Sequence, residues 1–121
     1  MTFETELFDW IDRSLSEPID KSVIAFCFNL HEPYGIELIG ASEFDPENDD
    51  WACTETFEPS QRDMDIPRSE CAGGWEECLQ TMSSYIKKYL TSNRPGVKIL
   101  LASKAVAIGF VDGDLKIIHL A

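Results

Sequence analysis

Ser22-Val-Ile-Ala-Phe-Cys-Phe-Asn-Leu30 is apolar at nearly every position. A strand with one wet face alternates apolar and polar residues, so an uninterrupted run of this length fits a central strand covered on both faces. The chain around it supplies the cover. Upstream, Phe3, Leu7, Trp10, Ile11 and Leu15 recur at helical spacing, which predicts an amphipathic helix over 3–15. Thr2 suits its N-cap, Glu4 and Glu6 suit the positive end of its dipole, and Pro18 stops it. Downstream, His31-Glu-Pro-Tyr-Gly35 carries turn residues and residues 36–44 give a second strand, paired antiparallel with the first through this tight connection.

Beyond the charged loop Asp45-Pro-Glu-Asn-Asp-Asp50, residues 51–57 alternate and predict a third strand. Residues 58–73 hold two prolines, several charges and a glycine boundary, which marks a mobile or partner-contacting loop. A second helix is expected from about Gly74 to Ser92, with Trp75, Cys78, Leu79, Met82, Ile86 and Leu90 as its apolar stripe. Residues 97–102 suit a short helix or a strand. A hairpin closes the chain, with residues 105–111, the Asp112-Gly113 turn and residues 115–120. The order of elements predicts a single α+β domain over residues 1–121, a two-layer sandwich of about five mostly antiparallel strands and two main helices.

The 121 residues are 44% apolar, enough for one core of one domain. No apolar run approaches the ~18 residues of a membrane span. The first residues, Met-Thr-Phe-Glu-Thr-Glu, are acidic where a secretory signal is basic and then apolar, so a cytoplasmic protein is expected.

Charge is the strongest functional signal. The net charge is −12, which argues against direct binding of nucleic acid or an anionic membrane. Residues 1–77 carry a net −16 and residues 78–121 a net +4. Residues 32–58 hold nine acids and no base. Such a stretch is either a solvated, solubility-giving face or a docking face for a basic partner. For docking, the expected residues are Glu43, Asp45, Glu47, Asp49, Asp50, Glu55 and Glu58, with Trp51 as an aromatic anchor beside them and Tyr34 and Phe44 in the same half. Trp10 and Trp75 lie on helix stripes and are expected in the core.

No catalytic or metal motif stands out. Phosphate loop, HExxH, nucleophile elbow and GxGxxG are all missing from the sequence. Asp45–Thr56 departs from a calcium loop at its glycine and its terminal glutamate. Cys27, Cys53, Cys71 and Cys78 form no CxxC pair, which disfavours structural zinc, and all four are expected to be reduced with at least two in the core. A Cys–His pair built from Cys27 or Cys53 with His31 or His119 has no local support. No cofactor, no metal and no enzymatic activity are expected.

Trp51-Ala-Cys, the helix Trp75-Glu-Glu-Cys-Leu…Ile86-Lys-Lys-Tyr-Leu and the run Ala105-Val-Ala-Ile-Gly-Phe-Val-Asp-Gly-Asp-Leu-Lys-Ile-Ile118 together resemble small acidic bacterial immunity proteins of contact-dependent inhibition and other polymorphic toxin systems. The resemblance implies a protein, monomer or weak dimer, that binds a cognate basic toxin domain, often a nuclease, and blocks its active site. It carries over no catalytic residue. A DNA mimic acting on a DNA-binding protein, an uncharacterised cysteine enzyme and a small adaptor domain are the alternatives.

Overall fold

The computed structural model describes residues 2–111 and 113–121; Asp112, expected in the hairpin turn, lies outside them. In chain order the elements are α1 (Phe3–Leu15), β1 (Ala25–His31), β2 (Gly35–Ala41), a 3-10 turn (Asp49–Cys53), β3 (Glu55–Phe57), β4 (Asp63–Asp65), a second 3-10 turn (Arg68–Cys71), α2 (Trp75–Leu90), α3 (Val97–Ala102), β5 (Ala105–Phe110) and β6 (Lys116–Leu120). The class is α+β, and the expected helices and hairpin form. The 97–102 segment resolves as helix, with Val97 and Leu100 buried.

The sheet runs β3-β2-β1-β5-β6, and β4 lies beside the other end of β2. Every described pairing is antiparallel except the central one, where β1 and β5 run parallel. That central pair is buried on both faces, as parallel strands generally are. One face carries Phe26, Phe28 and Leu30 of β1 with Val106 and Ile108 of β5, packed against α1 and α2. The other carries small residues, Ala25, Cys27, Ala105 and Ala107, and packs against Trp51. Tyr89 Oη donates to Asp12 Oδ1 at 2.5 Å, and Arg94 bridges Asp9 and Asp12, so α1 is tied to the end of α2.

Four expectations are corrected. Residues 51–57 are not one strand. Asn48 caps a 3-10 turn by accepting from the Asp50 N–H at 2.9 Å, and only Glu55–Phe57 pairs with β2. A continuous strand would put Trp51 and Phe57 on one face, yet Trp51 belongs to the small-residue face and Phe57 to the helix face. Phe57 sits over Gly40, where an added Cβ would meet Phe57 Cβ at 3.0 Å and Val23 Cγ1 at 2.8 Å. Residues 58–73, expected as a mobile or partner-contacting loop without regular structure, contain a strand and are bonded to the domain. β4 pairs with β2, Trp10 Nε1 donates to the Gln61 carbonyl at 2.6 Å, and Ile66 is buried.

Cys71 and Cys78 are not two free thiols but a disulfide, formed where the second 3-10 turn folds back on the first turn of α2 through Gly73 and Gly74. Gly74 caps α2 at φ +101°, a conformation only glycine adopts freely. Trp75, expected in the core, is 54% exposed. Among the described residues, no helix is long and apolar enough to cross a membrane.

The disulfide closes a loop of sequence separation 7. Chain-entropy reasoning gives such a cross-link about 2–3 kcal/mol. Urea unfolding with and without reductant should show that difference, and equal midpoints would mean the bond adds nothing to the fold.

Candidate functional site

The expected docking residues separate into three groups. Glu43, Asp45, Glu47, Asp49 and Asp50 are exposed on the segment between β2 and β3. Local hydrogen bonds hold that segment in shape. Asp45 accepts from the Glu47 N–H at 2.9 Å, Glu43 accepts from the Thr54 hydroxyl at 3.1 Å, and Asp49 accepts from the Leu115 N–H at 3.0 Å. The last of these pins the acidic segment to the approach of β6. Among the described residues, no lysine, arginine or histidine lies within ion-pair distance of any of the five.

Trp51 forms the second group, and its expected role is corrected. It is 4% exposed, packed edge-on against Phe44 at 5.2 Å and seated on Ala25, Cys27, Ile39 and Ala41. A side chain that fills the far face of the sheet is not free to enter a partner. Glu55 and Glu58 form the third group, and they are not free either. With Glu37 they surround Arg62, whose guanidinium lies 2.6 Å from Glu55, 3.0 Å from Glu37 and 3.3 Å from Glu58. The hydrogen bond to Glu55 is the leading influence that holds Arg62 in its charged form beyond the usual arginine range.

Two clefts flank Asp50. One, of 470 Å³, is walled by Glu43, Asp45, Asp50 and the edge of Trp51. The other, of 450 Å³, opens over the small-residue face between Asp49, Asp50, Glu55 and Arg62 on one side and Phe110, Val111 and Leu115 on the other. The second contains two of the unpaired acids, Asp49 and Asp50, together with an apolar wall, which suits a basic group carried on an apolar stem.

The cysteines and histidines are not arranged as a nucleophile and base. Cys27 is buried, and its Sγ donates to Asn29 Oδ1 at 3.3 Å. Burial first, and then the negative charge of Asp49, push its thiol up to about 12. His31 Nε2 lies 2.9 Å from Asp63 Oδ1, and His119 Nε2 lies 3.1 Å from the Leu101 carbonyl. Among the described residues, no three or more His, Cys, Asp or Glu side chains converge as a metal site, and no buried side-chain polar atom lacks a partner.

The surface that sequence reasoning missed is the one around Trp75. Its indole meets Phe110 at 6.0 Å with the ring planes 86° apart, and Phe110 meets Tyr34 at 6.5 Å. Trp75 shares helical spacing with Cys78 and Met82, which hid its exposure. Its place as the first residue of α2, directly after two glycines, was the available signal that it stands beyond the end of the core. Compared with known protein families, curated proteins and solved structures, the chain matches none of them.

Two measurements check this assignment of roles. Trp51→Ala should destabilise the domain by about 3–5 kcal/mol, the usual loss for a large buried aromatic; a change below 1 kcal/mol would return Trp51 to the surface. Iodoacetamide at pH 8 should label exposed Cys53 in the native protein and leave Cys27 untouched until denaturant is added. Cys27 ionises near 9.0 when unfolded and about 12 when folded, so the folded state keeps the proton longer and its stability falls as pH rises from 9.0 towards 12.

Proposed function

We propose that this chain is a non-catalytic binding protein, an immunity-type inhibitor that neutralises a basic toxin domain by placing the 43–50 segment over its cationic cleft. The observation that carries the reading is the set of five acids, Glu43, Asp45, Glu47, Asp49 and Asp50, on a segment held in shape by hydrogen bonds and left without a cation among the described residues. Six acids elsewhere do face a lysine or arginine, namely Glu4, Asp9, Asp12, Glu37, Glu55 and Glu58. Clustered like charges repel and work against the compact state, and a basic partner relieves that repulsion on binding. The same field raises the rate of encounter by roughly 10–10³-fold at low salt. A nuclease domain suits the reading because a groove that binds phosphates is itself cationic.

The inhibitor acts as a monomer or weak dimer in the cytoplasm, without cofactor, metal, direct nucleic-acid contact or membrane insertion. The cytoplasm is reducing and opens disulfides such as Cys71–Cys78. Both sulfurs are buried, so the pair remains as packed thiols.

The test begins with capture from a lysate of the source cells, washed at low and then at high salt. A single stoichiometric basic protein that survives high salt, and whose toxicity is removed by co-expression of this chain, is the expected result. Asp45→Asn, Glu47→Gln and Asp50→Asn together should slow association with that protein at least about tenfold at low salt and have little effect at 1 M salt. Asp49 is kept because it holds the Leu115 N–H. Many basic proteins, all lost at high salt, would reduce the acidity to a polyanion effect and overturn the reading.

A further inference from the structure

We propose that the corner between Trp75 and Phe110 receives an arginine side chain of a basic polypeptide. The inference rests on the docking reading above and adds to it the apolar anchor that Trp51, being buried, does not provide. Trp75 is the most exposed aromatic residue of the domain, and its indole stands almost perpendicular to the Phe110 ring. In this edge-to-face contact the ring that presents its edge keeps its own faces open, so a cation in the corner lies over one aromatic face and beside the other ring. The cleft they border measures 580 Å³ and is completed by Val111, Gly113, His31 and Glu32. Val111 is 57% exposed, so the floor is apolar and suits the methylene stem of a long side chain. Glu32 is exposed and, among the described residues, has no cation within ion-pair distance.

These features select the occupant. An anion is repelled by the net charge of −12 and by Glu32. A purely apolar side chain leaves Glu32 without a partner. An arginine satisfies both walls, because its planar guanidinium stacks on an aromatic face and still directs N–H donors at a carboxylate; the compact, strongly hydrated ammonium of lysine does this less well. The corner is also firmly built. Cys71 and Cys78, on either side of Trp75 in the chain, are both buried and hold the start of α2, and the Tyr34 ring meets Phe110 at 6.5 Å. Finally, Phe110, Val111 and Gly113 wall both this cleft and the acidic cleft that holds Asp49 and Asp50. One basic segment therefore reaches both.

The test uses the full chain and a short capped peptide of three arginines spaced by glycines, compared with the same peptide carrying citrulline or lysine. Trp10 and Trp51 are buried, so a change in tryptophan emission reports on Trp75. The expected result is a saturable, salt-sensitive change with the arginine peptide, weaker binding of the lysine peptide and none of the citrulline peptide. Trp75→Ala and Glu32→Gln should each weaken arginine-peptide binding by calorimetry by about threefold or more. Both substitutions are at exposed positions, and unchanged circular dichroism confirms that the domain is intact. If the peptide binds but neither variant nor the emission responds, while the Asp45, Glu47 and Asp50 triple variant loses binding, the arginine corner is overturned and the acidic docking face survives. Equal binding of the citrulline peptide overturns the cationic occupant. Failure of the arginine peptide to bind at all overturns the arginine corner, while the docking reading stands or falls on the capture experiment above.

Discussion

The burial of β1 on both faces is the constraint on which the remaining structure depends. Its two sides differ in depth. Phe26, Phe28 and Leu30 fill the space under α1 and α2, whereas Ala25 and Cys27, beside Ala105 and Ala107 of β5, leave the other side shallow. A two-layer domain would leave that second side wet. Here Trp51 fills it, with Phe44 and Leu115 at its margins. Because the side chains of a strand alternate, a slip of β1 by one residue would set phenylalanine rings beneath Trp51 and Ala25 and Cys27 beneath the helices. The register of β1 with its two neighbours thus fixes where Trp51 sits, and Trp51 fixes where the acidic segment emerges.

That segment divides the acids of residues 32–58 by their surroundings. Glu37 projects from β2 onto the far side of the sheet, where a carboxylate at 20% exposure needs a counter-charge. Arg62 supplies it and gathers Glu55 and Glu58 as well. Exposed ion pairs contribute only about 0–1 kcal/mol each. The larger consequence is positional, since Arg62 ties the stretch after β3 to β2, and its carbonyl accepts from the Leu38 N–H at 3.1 Å. The acids from Glu43 to Asp50 are out of its reach. Their short contacts are to backbone and hydroxyl donors, which set geometry without neutralising charge.

Local pattern revealed much of this fold. The unbroken apolar run of β1, the helical stripes of α1 and α2 and the strand–turn–strand pattern of the closing hairpin are all local signals, and each became the element it predicted. What escaped depended on contacts between residues far apart in the chain. The parallel pairing of β1 with β5 joins segments about 80 residues apart, and no short connection announces it. Trp51 sits in an alternating stretch that reads as strand, but the depth of the small-residue face, set by β1 and β5, draws it inward and turns the chain. The Cys71–Cys78 bond depends on a reversal at Gly73 and Gly74 that spacing alone does not specify. Of the expected docking residues, the exposed acids were legible from composition. The occupation of Glu55 and Glu58 was not, because Arg62 lies in a stretch without periodicity.

The two tryptophans exchange the roles their sequence contexts suggested, and the exchange bears on how recognition would divide its labour. Charge at a surface speeds encounter and orients the partner, but solvent screening keeps its share of the final affinity small. Long residence requires a desolvated apolar contact near the charges. Trp51 sits among the acids but is held in the core, whereas Trp75 is remote from them in sequence and open to solvent. Phe110, Val111 and Gly113 close that distance, since they border the acidic cleft on one side and the Trp75 corner on the other. In the proposed complex, the acids between β2 and β3 draw the partner in and the start of α2 retains it. Both are held at fixed positions by the same central strands, so the partner must match their separation as well as their charge.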